Sequence, residues 1–197
     1  MKEAWDNRYK SDEYIYGHIP NKFISTELKK LKPGTILFPG DGEGRNSVYA
    51  AKQAWQVTAF DYSNSGKQKA LKLAKSESVN IDYFTLDVND FDSTLKFDVI
   101  AICFLHLENT TRINFHKKLK KILKPNGQII LECFSKQQLS NSSGGPKNID
   151  LLYSIDDIKS DFSDYKVTYI EELETNLAEG QLHQGKANVI RLIAKIT

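Results

Sequence analysis

The chain has 197 residues, of which 40% are apolar and 26% are charged, and its 27 basic and 25 acidic side chains leave a net charge of +2. This size predicts one domain over residues 1–197. The longest apolar run, residues 99–105, is far shorter than the roughly 20 residues of a membrane-spanning helix. The nearly balanced charge disfavours nucleic acid as a partner. The first ten residues lack the apolar stretch of a secretory signal, and the cysteine usage predicts a reducing cytoplasm as the location.

The two cysteines, Cys103 and Cys133, both lie in apolar stretches. Their spacing fits neither a disulfide framework nor a metal or redox pair, so we expect buried free thiols. The four histidines, at 18, 106, 116 and 183, also lack the close spacing of a structural zinc site. The sequence therefore predicts no metal centre.

Strand-like and helix-like stretches alternate along the chain. The predicted strands cover 35–38, 56–60, 81–86, 97–104 and 128–134, and helices over 45–53, 63–75 and 111–123 lie between them, with Ser63 as an N-cap. A short helix at 155–162 is followed by two strands, 165–173 and 187–196, which we expect to pair as an antiparallel hairpin. Continuous apolar runs are typical of strands that are covered on both faces. The pattern predicts an α/β, doubly wound, seven-stranded sheet that is mostly parallel, with helices on both faces.

Three glycines, Gly40, Gly42 and Gly44, lie between the first predicted strand and its helix. Glycine adopts positive φ easily and lets the backbone approach a ligand closely, and the helix N-terminus adds free N–H groups. Asp61 ends the next strand, where a carboxylate can accept hydrogen bonds from both hydroxyls of a ribose. The combination predicts a nucleoside-binding site.

The glycine spacing distinguishes between cofactors. A dinucleotide fingerprint, G-x-G-x-x-G, would need glycine at Arg45 or Ser47, which disfavours a nicotinamide-linked oxidoreductase. The observed spacing resembles the G-x-G-x-G motif of class I S-adenosylmethionine-dependent methyltransferases. In that resemblance Asp61 matches the ribose acid and Asp87 the adenine-contacting acid. It implies a Rossmann-like fold, S-adenosyl-L-methionine as cofactor and S-adenosyl-L-homocysteine as product.

Further stretches are similar to a group of small bacterial methyltransferases that resemble the tellurite-resistance methyltransferase. They are WD at 5–6, RY at 8–9, YIYG at 14–17, PN at 20–21, GEGRN at 42–46, GGP at 144–146 and EGQLHQG at 179–185. The resemblance implies additional cofactor contacts from Asn46, Tyr62, Val88 and Phe104. Two departures stand out. Phe38 occupies the position of an acid that Asp41 or Glu43 would have to replace, and Gln184 stands where the tellurite enzyme has arginine.

The expected acceptor side lies at the carboxyl ends of the fourth and fifth strands. His106 and His183 are candidate catalytic bases or acceptor contacts, with packing of a loop as the alternative for each. Tyr16 is a candidate substrate contact. We expect the aromatic residues of 1–33 to cover the cofactor or to pack a terminal helix, and the loop 135–150 to close over the acceptor.

The function predicted from these observations is in-line methyl transfer to a small-molecule acceptor. The alternative is a module or sensor that binds the cofactor without catalysis. The predicted oligomeric state is a monomer or a weak homodimer.

Overall fold

The computed structural model describes residues 2–196. The strands are β1 (Thr35–Pro39), β2 (Gln56–Asp61), β3 (Asp82–Thr85), β4 (Phe97–Cys103), β5 (Leu123–Phe134), β6 (Lys166–Glu179) and β7 (His183–Lys195). The helices are α1 (Lys2–Arg8), α2 (Lys22–Leu28), α3 (Arg45–Lys52), α4 (Asn64–Ser76), α5 (Asn109–Ile122) and α6 (Ile155–Asp161). None of the helices in this part of the chain is long and apolar enough to cross a lipid bilayer.

The seven strands form one sheet in the order β3-β2-β1-β4-β5-β7-β6. Strands β1 to β5 pair in parallel, whereas β7 lies antiparallel between β5 and β6. The predicted mostly parallel sheet with an antiparallel hairpin is confirmed. Ser63 also caps α4 as predicted, with its side chain accepting a hydrogen bond from the Gly66 N–H at 3.1 Å.

Both faces of the sheet are buried, which explains the continuous apolar runs. In β1, Ile36 and Phe38 belong to one core cluster with residues of α2, α3 and α4. Leu37, between them, belongs to a second cluster with residues of α5 and α6. Successive side chains of a strand point to opposite faces, so a strand between two helical layers must be apolar at every position.

The hairpin is longer than predicted. Strands β6 and β7 extend to a turn at residues 180–182, where Glu179 pairs with His183, whereas the predicted strands ended at 173 and began at 187. The polar residues in between disfavoured a strand in the sequence. Strand β6 is an edge strand, however, and its outer positions face water, so polar side chains are tolerated there.

The segment 135–150, predicted as a loop, contains a short 3₁₀ helix at Lys136–Ser140 and is bonded to β7. Gln138 accepts a hydrogen bond from the Asn188 N–H at 2.8 Å, and the Asn141 amide donates to the Asn188 side-chain oxygen at 2.8 Å. In this segment Gly144 lies beside Leu182 and His183 of the hairpin, and Gly145 lies beside Phe134.

Candidate functional site

A cavity of about 840 Å³ opens at the carboxyl ends of the parallel strands. This is the edge at which α/β sheets bind ligands. The residues predicted from the sequence that line it are Tyr16, Gly40, Gly42, Asn46, Asp61, Tyr62, Asp87, Val88, Phe104, His106 and His183. Gly44 does not belong to the lining.

The glycine loop is shaped by neighbouring protein atoms. All three glycines have positive φ, and a Cβ atom at Gly42 would lie 2.6 Å from the Tyr9 hydroxyl. A Cβ atom at Gly44 would lie 2.5 Å from the Ala70 Cβ. From the sequence, we expected these glycines to let the backbone approach a ligand closely. In the structure a side chain at any of the three would also meet protein atoms, those of Leu105 at Gly40, Tyr9 at Gly42 and Ala70 of α4 at Gly44, while Gly40 and Gly42 line the cavity.

The Asp61 side chain is hydrogen-bonded to the glycine loop and to the residue that caps α4. Its two carboxylate oxygens accept hydrogen bonds from the Gly42 N–H at 3.1 Å and the Ser63 N–H at 2.9 Å. Burial raises the pKa of Asp61 to about 6, although these backbone N–H groups act in the opposite direction. Each carboxylate oxygen can accept a second hydrogen bond, so Asp61 keeps acceptor capacity at the cavity wall.

Glu43 and Asp41 differ in whether their carboxylates are paired. Glu43 is 3% exposed, and its oxygens accept hydrogen bonds from the Ile15 and Tyr16 N–H groups, both at 3.2 Å. Asp41 has both carboxylate oxygens buried with no hydrogen-bond partner in residues 2–196. Burial raises the pKa of Asp41 to about 7 and the Asp61 carboxylate adds to the shift, whereas Ser47 and the charge of Arg45 lower the pKa. Of the two acids considered as replacements at Phe38, Glu43 is bonded to backbone N–H groups, whereas Asp41 has no hydrogen bond of ordinary geometry within that range.

Three further residues predicted at the cofactor, Asp87, Asn46 and Phe104, contact neighbouring protein groups. The Asp87 carboxylate accepts hydrogen bonds from the backbone and side chain of Asn89, both at 2.9 Å. The Asn46 side chain accepts a hydrogen bond from the Asn21 N–H at 2.9 Å. Phe104 has φ of 51° directly after β4, and its ring lies 4.4 Å from that of Phe134.

His106 has both ring nitrogens engaged. Nδ1 lies 2.6 Å from the Leu151 carbonyl oxygen and Nε2 lies 3.2 Å from the Phe134 backbone nitrogen. Nδ1 therefore carries the proton and Nε2 accepts the Phe134 N–H. Burial lowers the pKa of His106 to about 4. This arrangement leaves no free lone pair for an acceptor's proton and favours the packing role over the catalytic one.

His183 is arranged differently. Its Nδ1 lies 3.4 Å from a Glu179 carboxylate oxygen, and Nε2 has no hydrogen-bond partner among the described residues. The same Glu179 oxygen pairs with Arg45 at 2.7 Å. Rings of Tyr16 and Phe104 lie 4.5 and 4.8 Å from the imidazole. Burial lowers the pKa of His183, although the Glu179 carboxylate opposes the shift, and the neutral form is favoured.

Sequence reasoning missed a buried polar network behind this histidine. The Asn21 amide donates to Glu132 at 2.5 Å and to Glu179 at 3.0 Å, while Arg191 pairs with Glu132. One signal was available in the sequence, because Glu132 is a charged residue inside an apolar strand, which predicts a buried partner. Its partners were not predictable, since they lie in distant parts of the chain.

The two cysteines and the N-terminal aromatic residues have mixed environments. Both cysteines are free, Cys133 is buried, and Cys103 is partly buried at the cavity wall. Trp5, Tyr9 and Tyr16 line the cavity, whereas Tyr14 packs on a core cluster. Three of the four rings thus lie where they could cover a ligand, and the fourth has a packing role.

The geometry agrees with comparisons to known proteins. Residues 36–127 match a family model described as "Methyltransferase domain". A ubiquinone biosynthesis O-methyltransferase of Rickettsia conorii is 32% identical over 114 residues, which are 57% of this chain and 38% of that protein. The probable S-adenosyl-L-methionine-dependent methyltransferase TehB of Haemophilus influenzae is 24% identical over 170 residues, which are 85% of this chain and 56% of that protein.

Solved structures show the same fold. The crystal structure of TehB from Haemophilus influenzae has a TM-score of 0.75 and 17% identity, covering 100% of this chain and 67% of that chain. The N-methyltransferase NodS from Bradyrhizobium japonicum, in complex with S-adenosyl-L-homocysteine, has a TM-score of 0.75 and 13% identity, covering 99% of this chain and 97% of that chain.

Residues 36–127 therefore match a methyltransferase domain, and the chain has the fold of solved methyltransferases such as NodS. Among these proteins, TehB resembles the chain both in sequence and in fold. It spans 38% of the Rickettsia conorii relative and 56% of the TehB relative.

Proposed function

We propose that this chain transfers the methyl group of S-adenosyl-L-methionine to a small-molecule acceptor. The observation that carries the proposal is that one cavity is lined by Asp61 and the glycine loop on one side and by His183 on the other. A methyl donor and an acceptor placed there would be held together, and transfer by in-line displacement depends mainly on such positioning.

The residues on the glycine-loop side fit this cofactor. Asp61 would accept hydrogen bonds from the ribose hydroxyls and Asp87 would lie at the adenine. The buried Asp41 carboxylate favours a cationic ligand nearby, because a positive charge offsets the cost of burying a negative one. When bound, S-adenosyl-L-methionine supplies an electrophilic methyl group on a positively charged sulfur.

The residues on the other side would handle the acceptor. We assign to the free Nε2 of His183 the removal of a proton from a hydroxyl, thiol or amine. Glu179 orients the ring through Nδ1 and would stabilise the imidazolium that forms. Burial opposes ionisation of Glu179, but His183 and Arg45 together lower its pKa, so the carboxylate stays charged.

The shape of the cavity supports a compact acceptor. Aromatic side chains of the N-terminal region and residues 144–147 line it opposite the sheet. Such walls exclude water and leave room for a small, partly apolar molecule. A cytoplasmic location, residues 1–197 as a single domain, and a monomer or weak homodimer complete the proposal.

The experiment begins with calorimetric titration of S-adenosyl-L-homocysteine into the wild type and Asp61→Ala. Loss of the carboxylate leaves ribose hydroxyls unpaired in a closed site, at a cost of roughly 1–3 kcal/mol, so we expect affinity to fall about tenfold or more. Glu77→Ala, which removes an exposed ion pair with Lys52, is the control and should bind normally. Equal affinity in Asp61→Ala and wild type would refute the cofactor assignment.

A screen of thiols, phenols and amines with methyl-labelled S-adenosyl-L-methionine then separates the enzyme from the alternative. A labelled acceptor supports the enzyme. Cofactor binding without transfer to any acceptor class would favour a module or sensor that binds the cofactor without catalysis.

A further inference from the structure

Residues 11–17, which we call the strap, contribute Tyr16 to the cavity wall and are hydrogen-bonded to the glycine loop. Glu43, between two of the loop glycines, accepts hydrogen bonds from the Ile15 and Tyr16 N–H groups at 3.2 Å each. The carboxylate therefore binds strap backbone and is occupied before any ligand arrives.

Lys69 of α4 binds the N-terminal end of the same strap. The Lys69 ammonium donates hydrogen bonds to the carbonyl oxygens of Ser11 at 2.9 Å and Glu13 at 2.5 Å. It also pairs with Glu43 at 2.5 Å, with 11% and 2% of the two side chains exposed. The Tyr14 ring lies 4.8 Å from the ammonium. The ion pair thus joins the glycine loop, the strap and α4.

The opposite edge of the strap touches the turn between β6 and β7. The Gln181 N–H donates to the Ile15 carbonyl oxygen at 2.8 Å. A Cβ atom at Gly180 would lie 2.3 Å from the same oxygen, so only glycine allows this approach. The Tyr16 ring lies 4.5 Å from the ring of His183. The strap therefore contacts both sides of the cavity.

We propose that the strap couples the two sides, so that a ligand bound at the glycine loop orders the hairpin turn next to His183. This inference rests on the proposed function, because the ligand is the cofactor. A ligand that fixes the loop also fixes the Glu43 carboxylate, and the strap bonded to that carboxylate is fixed with it. The Gln181–Ile15 hydrogen bond then transmits the order to the turn. Coupling of this kind is reciprocal, so an acceptor at His183 would in turn strengthen cofactor binding.

The energetics of the ion pair agree with a coupling role. A buried ion pair adds little stability over an apolar pair of the same volume, whereas loss of one partner leaves an uncompensated charge. The Glu43–Lys69 pair is bonded to four backbone groups of the strap, so its integrity and the order of the strap are linked.

The test is amide-resolved hydrogen exchange of the wild type with and without S-adenosyl-L-homocysteine. We expect the ligand to slow exchange at Ile15, Tyr16 and Gln181 by about tenfold or more. The amides of Gly42 and Ser63, which donate to Asp61, report binding at the loop itself. In Glu43→Gln and Lys69→Met, the slowing at the strap and turn should disappear while that at Gly42 and Ser63 persists. Glu77→Gln is the matched control and should behave as the wild type.

The outcomes separate this inference from the proposed function. If calorimetry shows ligand binding to the wild type but exchange at Ile15, Tyr16 and Gln181 is unchanged, the coupling is wrong and the cofactor site stands. The same holds if both variants retain the slowing at the strap. If the wild type does not bind the ligand at all, both proposals fail. The wild-type comparison is decisive even if a variant does not fold.

Discussion

Two histidines at the wall of one cavity differ in what their ring nitrogens can do. His106 uses both nitrogens in hydrogen bonds to the backbone. His183 keeps Nε2 free, and its Nδ1 lies 3.4 Å from a carboxylate oxygen of Glu179. The imidazole is the same in both, so the difference comes from the neighbouring backbone and side chains. A residue type in a sequence therefore indicates available chemistry, and the contacts decide whether it can be used.

His183→Ala tests this distinction in the enzyme. We expect cofactor affinity within about twofold of the wild type and turnover lower by roughly 10²–10⁴ for an acceptor that must lose a proton. Because burial lowers the pKa of His183, wild-type turnover should fall with decreasing pH only below the usual range of histidine. Steady-state rates against pH provide the measurement. Wild-type turnover in the variant would exclude His183 as the base.

Gly42 gives a second prediction at this scale. In Gly42→Ala, strain arises from the positive φ of 59° and from the approach of the new Cβ to the Tyr9 hydroxyl, 2.6 Å away. We expect cofactor affinity and thermal stability to fall. Adding Tyr9→Phe removes the hydroxyl but leaves the φ strain of about 1–2 kcal/mol, so it should restore part of the loss. A double-mutant cycle by thermal unfolding measures this, and strictly additive losses would contradict the contact.

Helices α5 and α6 are joined by a buried charge cluster. Asp161 of α6 accepts hydrogen bonds from Arg112 of α5 at 2.7 and 3.3 Å and lies 2.7 Å from the His116 Nδ1. Burial opposes ionisation of Asp161, but His116 and Arg112 outweigh it and lower the pKa of the carboxyl. The pairing explains how two polar helix faces pack together beside an apolar core.

Removal of one partner should therefore be costly at the scale of these elements. We expect Asp161→Ala to reduce the free energy of unfolding by about 3 kcal/mol or more, because buried Arg112 would lose its close partner and keep only the longer ion pair with Asp157, at 3.9 Å. Glu77→Ala should cost about 1 kcal/mol or less, since its ion pair with Lys52 is exposed. Urea unfolding measures the loss of unfolding free energy in each variant. Similar losses in Asp161→Ala and Glu77→Ala would show that the buried cluster contributes no more stability than an exposed ion pair.

At the scale of the whole molecule, the sequence predicted what depends on local patterns. The central parallel strands β1, β4 and β5 were recognisable because they are apolar on both faces, and the glycines and Asp61 because their spacing is local. The extended hairpin was not, since exposed edge positions carry no apolar signal. The Glu179–Arg45 and Glu43–Lys69 pairs join residues 134 and 26 positions apart, and only the folded chain brings such partners together.

The position of β7 inside the sheet has a consequence for the nascent chain. Strand β6 leaves the ribosome first, but its neighbour in the sheet is β7, which also covers the edge of β5. Until residues 183–195 have emerged, β5 has an open edge and β6 lacks this partner. Open edges favour pairing with other chains. We therefore expect stalled translation between residues 135 and 182 to yield aggregation-prone chains that lack the acceptor side, although every strand of the cofactor side has already been made.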